Sequence, residues 1–166
     1  MAELTPMMQQ YMQTKKEYPD CIIFYRLGDF YEMFFDDALT ASQELEITLT
    51  GKNCGLEERA PMCGVPYHAV YGYLNRLVSK GYKVAICEQM EDPATAKGLV
   101  KRDVVRIVTP GTNLDTQALD ETKNNYIMCI AYASDHYGVS VADVSTGEYM
   151  VTEIENSEKL FDEIYK

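Results

Sequence analysis

Residues 21–35, C-I-I-F-Y-R-L-G-D-F-Y-E-M-F-F, form the most apolar segment of the first part of the chain and predict the centre of its fold. Two runs of β-branched and aromatic residues, 22–27 and 30–34, are separated only by Gly28 and Asp29. A two-residue Gly-Asp connection between such runs is typical of a tight β-hairpin, because glycine supplies the positive φ angle of the turn. The pattern therefore predicts a hairpin that turns at these two residues.

The second strand of this hairpin carries a carboxylate between two aromatic rings. Alternate side chains of a strand share a face, so Phe30, Glu32 and Phe34 lie on one side. Burying an unpaired carboxylate in a core costs several kcal/mol, so Glu32 is expected to face solvent or a partner. The spacing alone favours an arrangement in which Phe30 and Phe34 are part of the core and Glu32 lies at an open edge of the sheet. The alternative is that this face of the strand is exposed and binds a partner.

The composition predicts a folded protein of one domain, or one domain and part of another. The chain has 166 residues, of which 46% are hydrophobic and 25% charged, enough apolar surface for a packed core. It has neither an apolar run of about 20 residues nor the features of a signal peptide, which predicts a cytoplasmic protein. Five cysteines without a C-x-x-C pair predict reduced thiols rather than disulfides or a zinc site.

The charge is acidic and unevenly distributed. A formal net charge of −11 argues at first against a nucleic-acid partner, because DNA binding depends on neutralising phosphates with Lys and Arg. Residues 1–110 hold 12 basic and 15 acidic side chains, whereas 111–166 hold 3 and 11. The change falls on a polar stretch without apolar periodicity, where we predict a linker.

The remaining patterns predict a small α+β domain with a mixed sheet, followed by an antiparallel meander. In the first part we expect a helix from Pro6, an exposed loop at 51–60, a helix after Pro66 and strands at 82–89 and 101–109. We also expect a helix for which Asp36 and Asp37 supply an N-cap and negative charge in the first turn. After the linker we expect strands at 126–133, 138–144 and 148–154, and a helix capped by Asn156 or Ser157. Three strands and one helix make a poor complete domain, so we expect the chain to be the N-terminal part of a longer protein.

Catalytic motifs are few. The sequence has no G-x-x-x-x-G-K-[ST], G-x-G-x-x-G, G-x-S-x-G or H-E-x-x-H pattern. The enzymatic alternative is a metal-dependent nuclease that uses Asp143 and Glu148, although two-metal chemistry needs more converging carboxylates. The Ser-Thr-Gly turn after Asp143 explains that residue equally well. A further alternative is a protein-interaction fragment that docks a partner through the acidic second segment.

Five segments of the chain have sequences specific enough to indicate a protein family. They are T-P-M-M-Q-Q-Y at 5–11, F-Y-R-L-G-D-F-Y-E-M-F at 24–34, P-M-C-G-V-P-Y-H-A-V at 61–70, C-E-Q-M-E-D-P-A-T-A-K-G at 87–98 and V-V-R-I-V-T-P-G-T at 104–112. With these segments in this order, the chain resembles the N-terminal part of the MutS family of DNA mismatch-repair proteins nearly end to end.

The resemblance implies a domain organisation and a fold class. It implies a mixed-sheet, α+β mismatch-recognition domain at 1–115, a linker at 116–124 and, at 125–166, the start of a ribonuclease-H-like α/β connector domain without nuclease activity. The core, lever, clamp and ATPase domains of such a protein would lie beyond residue 166.

The resemblance also implies a binding site. The family's F-x-E mismatch-binding motif falls on Phe30 and Glu32, and a phenylalanine that enters the minor groove would unstack a base step and kink the duplex. Basic residues near the last strand would contact the DNA backbone, with Arg102 the best candidate and Lys97 and Lys52 weaker ones. Family members often carry more basic residues in the loop that holds Lys52, which weakens the expectation for that loop.

The function implied is recognition of mismatched or unpaired bases in duplex DNA, as the first step of mismatch repair. We expect a DNA-binding module that is not an enzyme and holds no cofactor or metal, whereas the full-length protein would bind ATP and Mg²⁺. The implied partners are duplex DNA with a mismatch or small loop, a second copy of the full-length protein, and a downstream repair protein bound through the connector. We expect no membrane association and a place in the bacterial cytoplasm, at the nucleoid.

Overall fold

The computed structural model, which describes residues 3–96, 98–110 and 124–165, confirms the predicted hairpin. Tyr25 pairs with Glu32 and Leu27 with Phe30 in antiparallel register. Gly28 has a φ of +57°, the left-handed conformation that this turn requires. The hairpin belongs to the first of two compact units, Met1–Pro110 and Gly111–Lys166. The predicted linker falls almost wholly on residues outside the described ranges.

The described residues of the first unit form three α-helices and a six-stranded sheet. The helices are α1 (Pro6–Glu17), α2 (Phe35–Leu45) and α3 (Val70–Ser79), with a short 3-10 helix at Tyr67–Ala69 before α3. The strands are β1 (Cys21–Leu27), β2 (Phe30–Phe34), β3 (Thr50–Lys52), β4 (Ala60–Pro66), β5 (Lys83–Gln89) and β6 (Arg102–Val108).

The strand order across this sheet is β3-β4-β2-β1-β5-β6. Strands β1 and β5 run parallel, and every other neighbouring pair is antiparallel. The predicted α+β class with a mixed sheet is therefore confirmed. The hairpin strands β1 and β2 occupy the centre of the sheet, which explains why so many of their side chains are apolar.

Helices cover both faces of the sheet. One face packs against α2 and α3; we call the other, against which α1 packs, the α1 face. Residues buried between α1 and the sheet are Met8, Tyr11, Cys21, Ile23, Tyr25, Phe34, Cys54, Ala60, Ala85 and Cys87. The opposite core includes Phe24, Tyr31, Met33, Leu45, Leu74 and Leu77.

The predicted exposed loop at 51–60 is partly wrong, because both of its ends belong to strands. Lys52 pairs with Ala60 across β3 and β4. Strand β3 is only three residues long and lies at the sheet edge, where it pairs with β4 alone. Its Thr-Gly-Lys sequence has no strand periodicity, so the pairing comes from tertiary structure.

The predicted N-cap of α2 is also wrong, whereas the predicted negative charge in its first turn is confirmed. Phe34 occupies the cap position without a side-chain hydrogen bond, and both aspartates lie in the first turn. The carboxylate of Asp37 is buried and accepts hydrogen bonds from Tyr11 Oη (2.9 Å), Ile23 N (3.0 Å) and Lys15 Nζ (2.8 Å). It therefore ties α1, β1 and α2 together, and both burial and this negative neighbour raise the pKa of Tyr11.

The second unit is an antiparallel meander followed by a helix, as predicted. Its elements are β7 (Tyr126–Ala133), β8 (His136–Asp143), β9 (Tyr149–Ile154) and α4 (Ser157–Ile164), with strand order β7-β8-β9. Asn156 caps α4 by accepting a hydrogen bond from Lys159 N at 2.9 Å. Val139, Ile154 and Leu160 form its small core. Among the described residues of the whole chain, no helix is long and apolar enough to cross a bilayer.

Candidate nucleic-acid interface

Phe30 is the exposed aromatic residue at the turn end of the hairpin. Its side chain is 46% exposed, whereas Tyr31 is 5% exposed and Phe34 is fully buried. Its cross-strand neighbours are Leu27 on β1 and Pro66 on β4. A large aromatic ring thus stands in solvent on a strand that is otherwise core.

The turn beneath Phe30 is held by contacts from both sides. Arg26 Nε donates a 2.5 Å hydrogen bond to the Gly28 carbonyl, and the backbone N–H of Tyr67 donates to the Asp29 carbonyl at 2.9 Å. The guanidinium of Arg26 also stacks over the Tyr67 ring, 3.9 Å from its centroid. The exposed ring therefore sits on a turn whose backbone is fixed on two sides.

On the opposite face of the hairpin, polar contacts connect β2 to β5. The Tyr31 hydroxyl donates a short hydrogen bond to the Glu88 carboxylate, and Arg26 lies 4.0 Å from the same carboxylate. Burial, together with the bond to Glu88, raises the pKa of Tyr31 to about 12. Neutral Tyr31 thus links β2 to β5 directly behind the Phe30 position.

Glu32 is paired with Lys52, two residues that the sequence predicted separately. Their Nζ–Oε2 distance is 2.5 Å, and the side chains are 17% (Glu32) and 32% (Lys52) exposed. Because β4 lies between β2 and β3, the lysine reaches across β4, with its ammonium 5.6 Å from the centroid of the Phe34 ring. The residue opposite Glu32 on β4 is Gly64, where an added Cβ would lie 3.5 Å from Glu32 Cγ.

Arg102, the strongest backbone-contact candidate, is engaged within the protein. Its Nε donates to the Arg26 carbonyl at 2.8 Å, and Nη1 donates to Gln10 Oε1 at 3.2 Å and to the Val100 carbonyl at 3.0 Å. Its guanidinium lies 5.1 Å from the centroid of the Tyr25 ring. Arg102 therefore joins the start of β6 to α1 and to the end of β1, beside the hairpin turn.

Of the five predicted site residues, the structure brings Phe30, Glu32 and Lys52 to one region of the α1 face and puts Arg102 on the adjacent side of the hairpin. Lys97 lies outside the described residues. We call the region formed by Leu27, Phe30, Glu32, Lys52 and Gly64 the open end of the α1 face.

Asp143, the residue on which the nuclease alternative rests, is buried (2% exposed) and closes a turn. Its carboxylate accepts hydrogen bonds from Asn125 N (3.0 Å), Ser145 N (2.9 Å) and Thr146 Oγ1 (2.9 Å), and these donors, the Asn125 N–H first, lower its pKa. Within the described ranges, no group of three or more His, Cys, Asp and Glu side chains could hold a metal ion.

Comparison with known proteins covers both units. The family model described as MutS domain I matches residues 5–117, and that described as MutS domain II matches residues 125–166. The chain belongs to the MutS family. Among its relatives, the DNA mismatch repair protein MutS of Lachnoclostridium phytofermentans is 71% identical over 166 residues, which are all of this chain and 18% of that protein. The MutS protein of Acetivibrio thermocellus is 65% identical over 169 residues, again all of this chain and 19% of that protein.

The MutS match therefore concerns a short part of the relatives, since the chain spans about one fifth of their length. Domain I of the family coincides with the six-stranded sheet and its three helices. Domain II coincides with the meander and α4. The candidate interface lies wholly in the domain I match.

Sequence reasoning missed the residues that support the site in this MutS chain. Gln10, Tyr67 and Glu88 lie far from the hairpin in sequence, on α1, after β4 and on β5. A period-2 pattern identifies faces within one strand but carries no information on which distant side chain meets them. One signal was available for Glu88: a carboxylate on a largely apolar central strand predicts a buried polar partner.

Proposed function

We propose that this MutS-family chain recognises mismatched or unpaired bases in duplex DNA, through insertion of Phe30 into the minor groove with Glu32 hydrogen-bonding the displaced base. The observation that carries the proposal is the exposure of Phe30 on a turn held by Arg26 and Tyr67. Leaving a phenylalanine ring in water forgoes the free energy of burying it. A rigidly held exposed ring is therefore suited to contact a partner.

Insertion at a mismatch follows from the energetics of base stacking. Apolar side chains that enter the minor groove separate adjacent base pairs and kink the duplex. The free energy of this unstacking is smaller where pairing is already broken, so the same ring favours mismatched DNA over paired DNA without reading a base sequence. The contacts of the turn fix the backbone next to Phe30, so the ring would be presented for insertion from a defined position.

Glu32 would act as the polar half of the site. At a displaced base it would accept a hydrogen bond, or donate one if it were protonated. Against fully paired DNA no displaced base would bind the carboxylate, and its charge beside the phosphates, only partly offset by Lys52, would increase discrimination.

Backbone contacts are proposed for Arg102, the best candidate from the resemblance, and for Lys97 and Lys52, the weaker ones. The internal hydrogen bonds of Arg102 support a second task for it, which is to hold the end of β1 against α1. Lys52, whose side chain is about one-third exposed, has an ammonium close to the open end and is suited to reach a phosphate there.

The complete protein is proposed to follow the organisation that the family resemblance implied. Residues 1–115 would form the mismatch-recognition domain, 116–124 a linker and 125–166 the start of the connector. An ATPase domain that uses ATP and Mg²⁺, dimerisation and a downstream repair partner would belong to the complete protein, in the bacterial cytoplasm at the nucleoid. We propose no catalysis by residues 1–166.

The proposal is tested by Phe30→Ala in the complete natural chain that contains these residues. We expect it to abolish the preference for a duplex with one unpaired base over the same duplex fully paired, since a base-stacking aromatic contributes about 1–3 kcal/mol. Binding to paired DNA should change little. The matched control is Leu39→Ala, which removes an equally exposed apolar side chain (42%) from α2. A preference unchanged in Phe30→Ala would contradict the proposal.

Glu32→Ala should lower discrimination by a different route, through its effect on binding to paired DNA. Removing the repulsive carboxylate should leave binding to paired DNA level or raise it, so that discrimination falls although affinity does not. Fluorescence anisotropy titrations of both duplexes measure this directly. A loss of affinity for both duplexes by the same factor would show that Glu32 is a general DNA contact instead.

A further inference from the structure

The ion pair between Lys52 and Glu32 suggests how the site is switched at a mismatch. We propose that Lys52 is a specificity-determining residue: it holds Glu32 in the free protein and on paired DNA, and it exchanges Glu32 for a DNA phosphate when the carboxylate binds a displaced base. This inference rests on the proposed function, because it assigns Glu32 to the displaced base.

The structure shows the starting state of this exchange, in which Lys52 is bound to Glu32. The Lys52 ammonium and the Glu32 carboxylate are 2.5 Å apart, so Glu32 already has a hydrogen-bond donor before any base reaches it. Lys52 belongs to the edge strand β3 and reaches this position across β4. Gly64, opposite Glu32 on β4, offers no side chain that would compete for the carboxylate.

The surroundings of the Lys52–Glu32 pair allow both residues to change partners. Both side chains retain solvent exposure, and partly exposed ion pairs contribute little net stability, because water replaces them readily. The pair of Lys15 and Asp37 differs on the carboxylate side, since Asp37 is only 7% exposed and is bound by Tyr11 and the Ile23 amide as well as by Lys15. Removing one partner from Asp37 would leave a buried charge, whereas Glu32 can change partners.

The exchange requires a replacement partner on each side. A displaced base offers Glu32 a hydrogen-bonding edge, and the released ammonium can then bind a phosphate beside the kinked step. Fully paired DNA offers no displaced base, so Lys52 stays with Glu32. Mismatched DNA would consequently bind with one more lysine–phosphate contact than paired DNA.

Counterion release makes this extra contact measurable. Each phosphate contact adds about 0.9 to the slope of the logarithm of affinity against the logarithm of salt concentration. In the complete natural chain we expect the slope for a duplex with one unpaired base to exceed that for the fully paired duplex by about 0.9.

Three variants then give different results. Lys52→Met should remove the difference by lowering the slope for mismatched DNA. Glu32→Gln should remove it by raising the slope for paired DNA, because Lys52 is then released on both duplexes. The matched control is Lys83→Met, whose lysine pairs with Asp20 at 2.7 Å at the opposite end of β5, and it should leave the difference intact.

An unchanged slope difference in folded Lys52→Met, or equal slopes in the wild type, would overturn the inference. Lys52→Arg retains the charge, should keep the difference and excludes a folding defect as the cause. Failure of the proposed function gives a different result. It would appear at a single salt concentration, either as a wild type that binds mismatched and paired DNA equally or as a Phe30→Ala variant that keeps the preference. Failure of the exchange would appear only in the salt slopes.

Discussion

The two ends of strand β2 carry the same residue in opposite environments. Phe34 and Phe30 lie on the same face, yet Phe34 is fully buried and Phe30 is 46% exposed. At the covered end, the Phe34 ring packs edge-on against Tyr11 of α1 with centroids 5.0 Å apart. The extent of α1, and not the strand pattern, therefore determines where the core ends and where the exposed surface with the proposed site begins.

The carboxylates at the two ends differ in the same way. Asp37 at the covered end is buried and bound by Tyr11, Lys15 and the Ile23 amide. Glu32 at the open end keeps part of its surface in solvent and pairs with Lys52. One carboxylate is fixed as part of the fold, and the other is placed where its partner can change.

The largest expected effect compares the two phenylalanines directly. Phe34→Ala should lower the free energy of unfolding of the first unit by about 3–5 kcal/mol, through lost burial and a cavity. Phe30→Ala should lower it by less than about 1 kcal/mol, because about half of Phe30 is already in contact with water. Urea denaturation of the 166-residue chain, followed by tyrosine fluorescence, measures both. Equal losses would break the comparison, since Phe30 would then be core.

The next largest effect is expected for Asp37, whose loss should reduce stability more than the loss of the adjacent Asp36. Asp37→Ala leaves the Tyr11 hydroxyl, the Ile23 amide and the Lys15 ammonium without their acceptor and should destabilise the first unit by about 3 kcal/mol. Its matched control, Asp36→Ala, removes an exposed carboxylate in the same helical turn and should cost less than about 1 kcal/mol. Indistinguishable melting temperatures for the two variants would contradict the account of the covered end.

Much of this arrangement was predictable from the hairpin sequence. The Gly-Asp turn fixed the register, and period-2 alternation placed Phe30 and Glu32 on one face. Alternation could not distinguish Phe30 from Phe34, because their different burial depends on where α1 packs. It could not pair Lys52 with Glu32 either, because that contact crosses β4 and depends on a three-residue edge strand without a pattern of its own.

The errors have the same physical origin. Two acidic residues before an apolar stripe resemble a helix cap, but Asp37 turns inward because α1 and β1 present three donors to it. The interface candidates Arg102 and Lys52 follow from their charge and from the family resemblance; they stay predictions, and neither source carries information on internal partners. Their internal partners, Gln10 and Glu32, came from elements distant in sequence.

The smallest expected effect concerns alkaline pH at the covered end. Burial, above all, raises the pKa of Tyr25 from 10.0 to about 12. Because the folded value lies above the unfolded one, the stabilisation is fully present below about pH 10 and is lost as the pH rises through about 12; it amounts to about 2 kcal/mol. Tyr25→Phe should flatten this decline in unfolding free energy. A decline of the same size in the variant would contradict the assignment to Tyr25.

Site-specific photo-crosslinking measures whether the open end of the α1 face contacts the mismatch, as proposed. A photoreactive phenylalanine analogue would replace either Phe30 or Tyr71, which is 56% exposed on α3, the helix that covers the opposite face. On a duplex with one unpaired base, the analogue at position 30 should crosslink at the unpaired nucleotide and its neighbours, and should do so far less on the paired duplex. The analogue at position 71 should give no such preference. Crosslinks at the unpaired nucleotide from position 71, or equal crosslinking of both duplexes from position 30, would contradict the account.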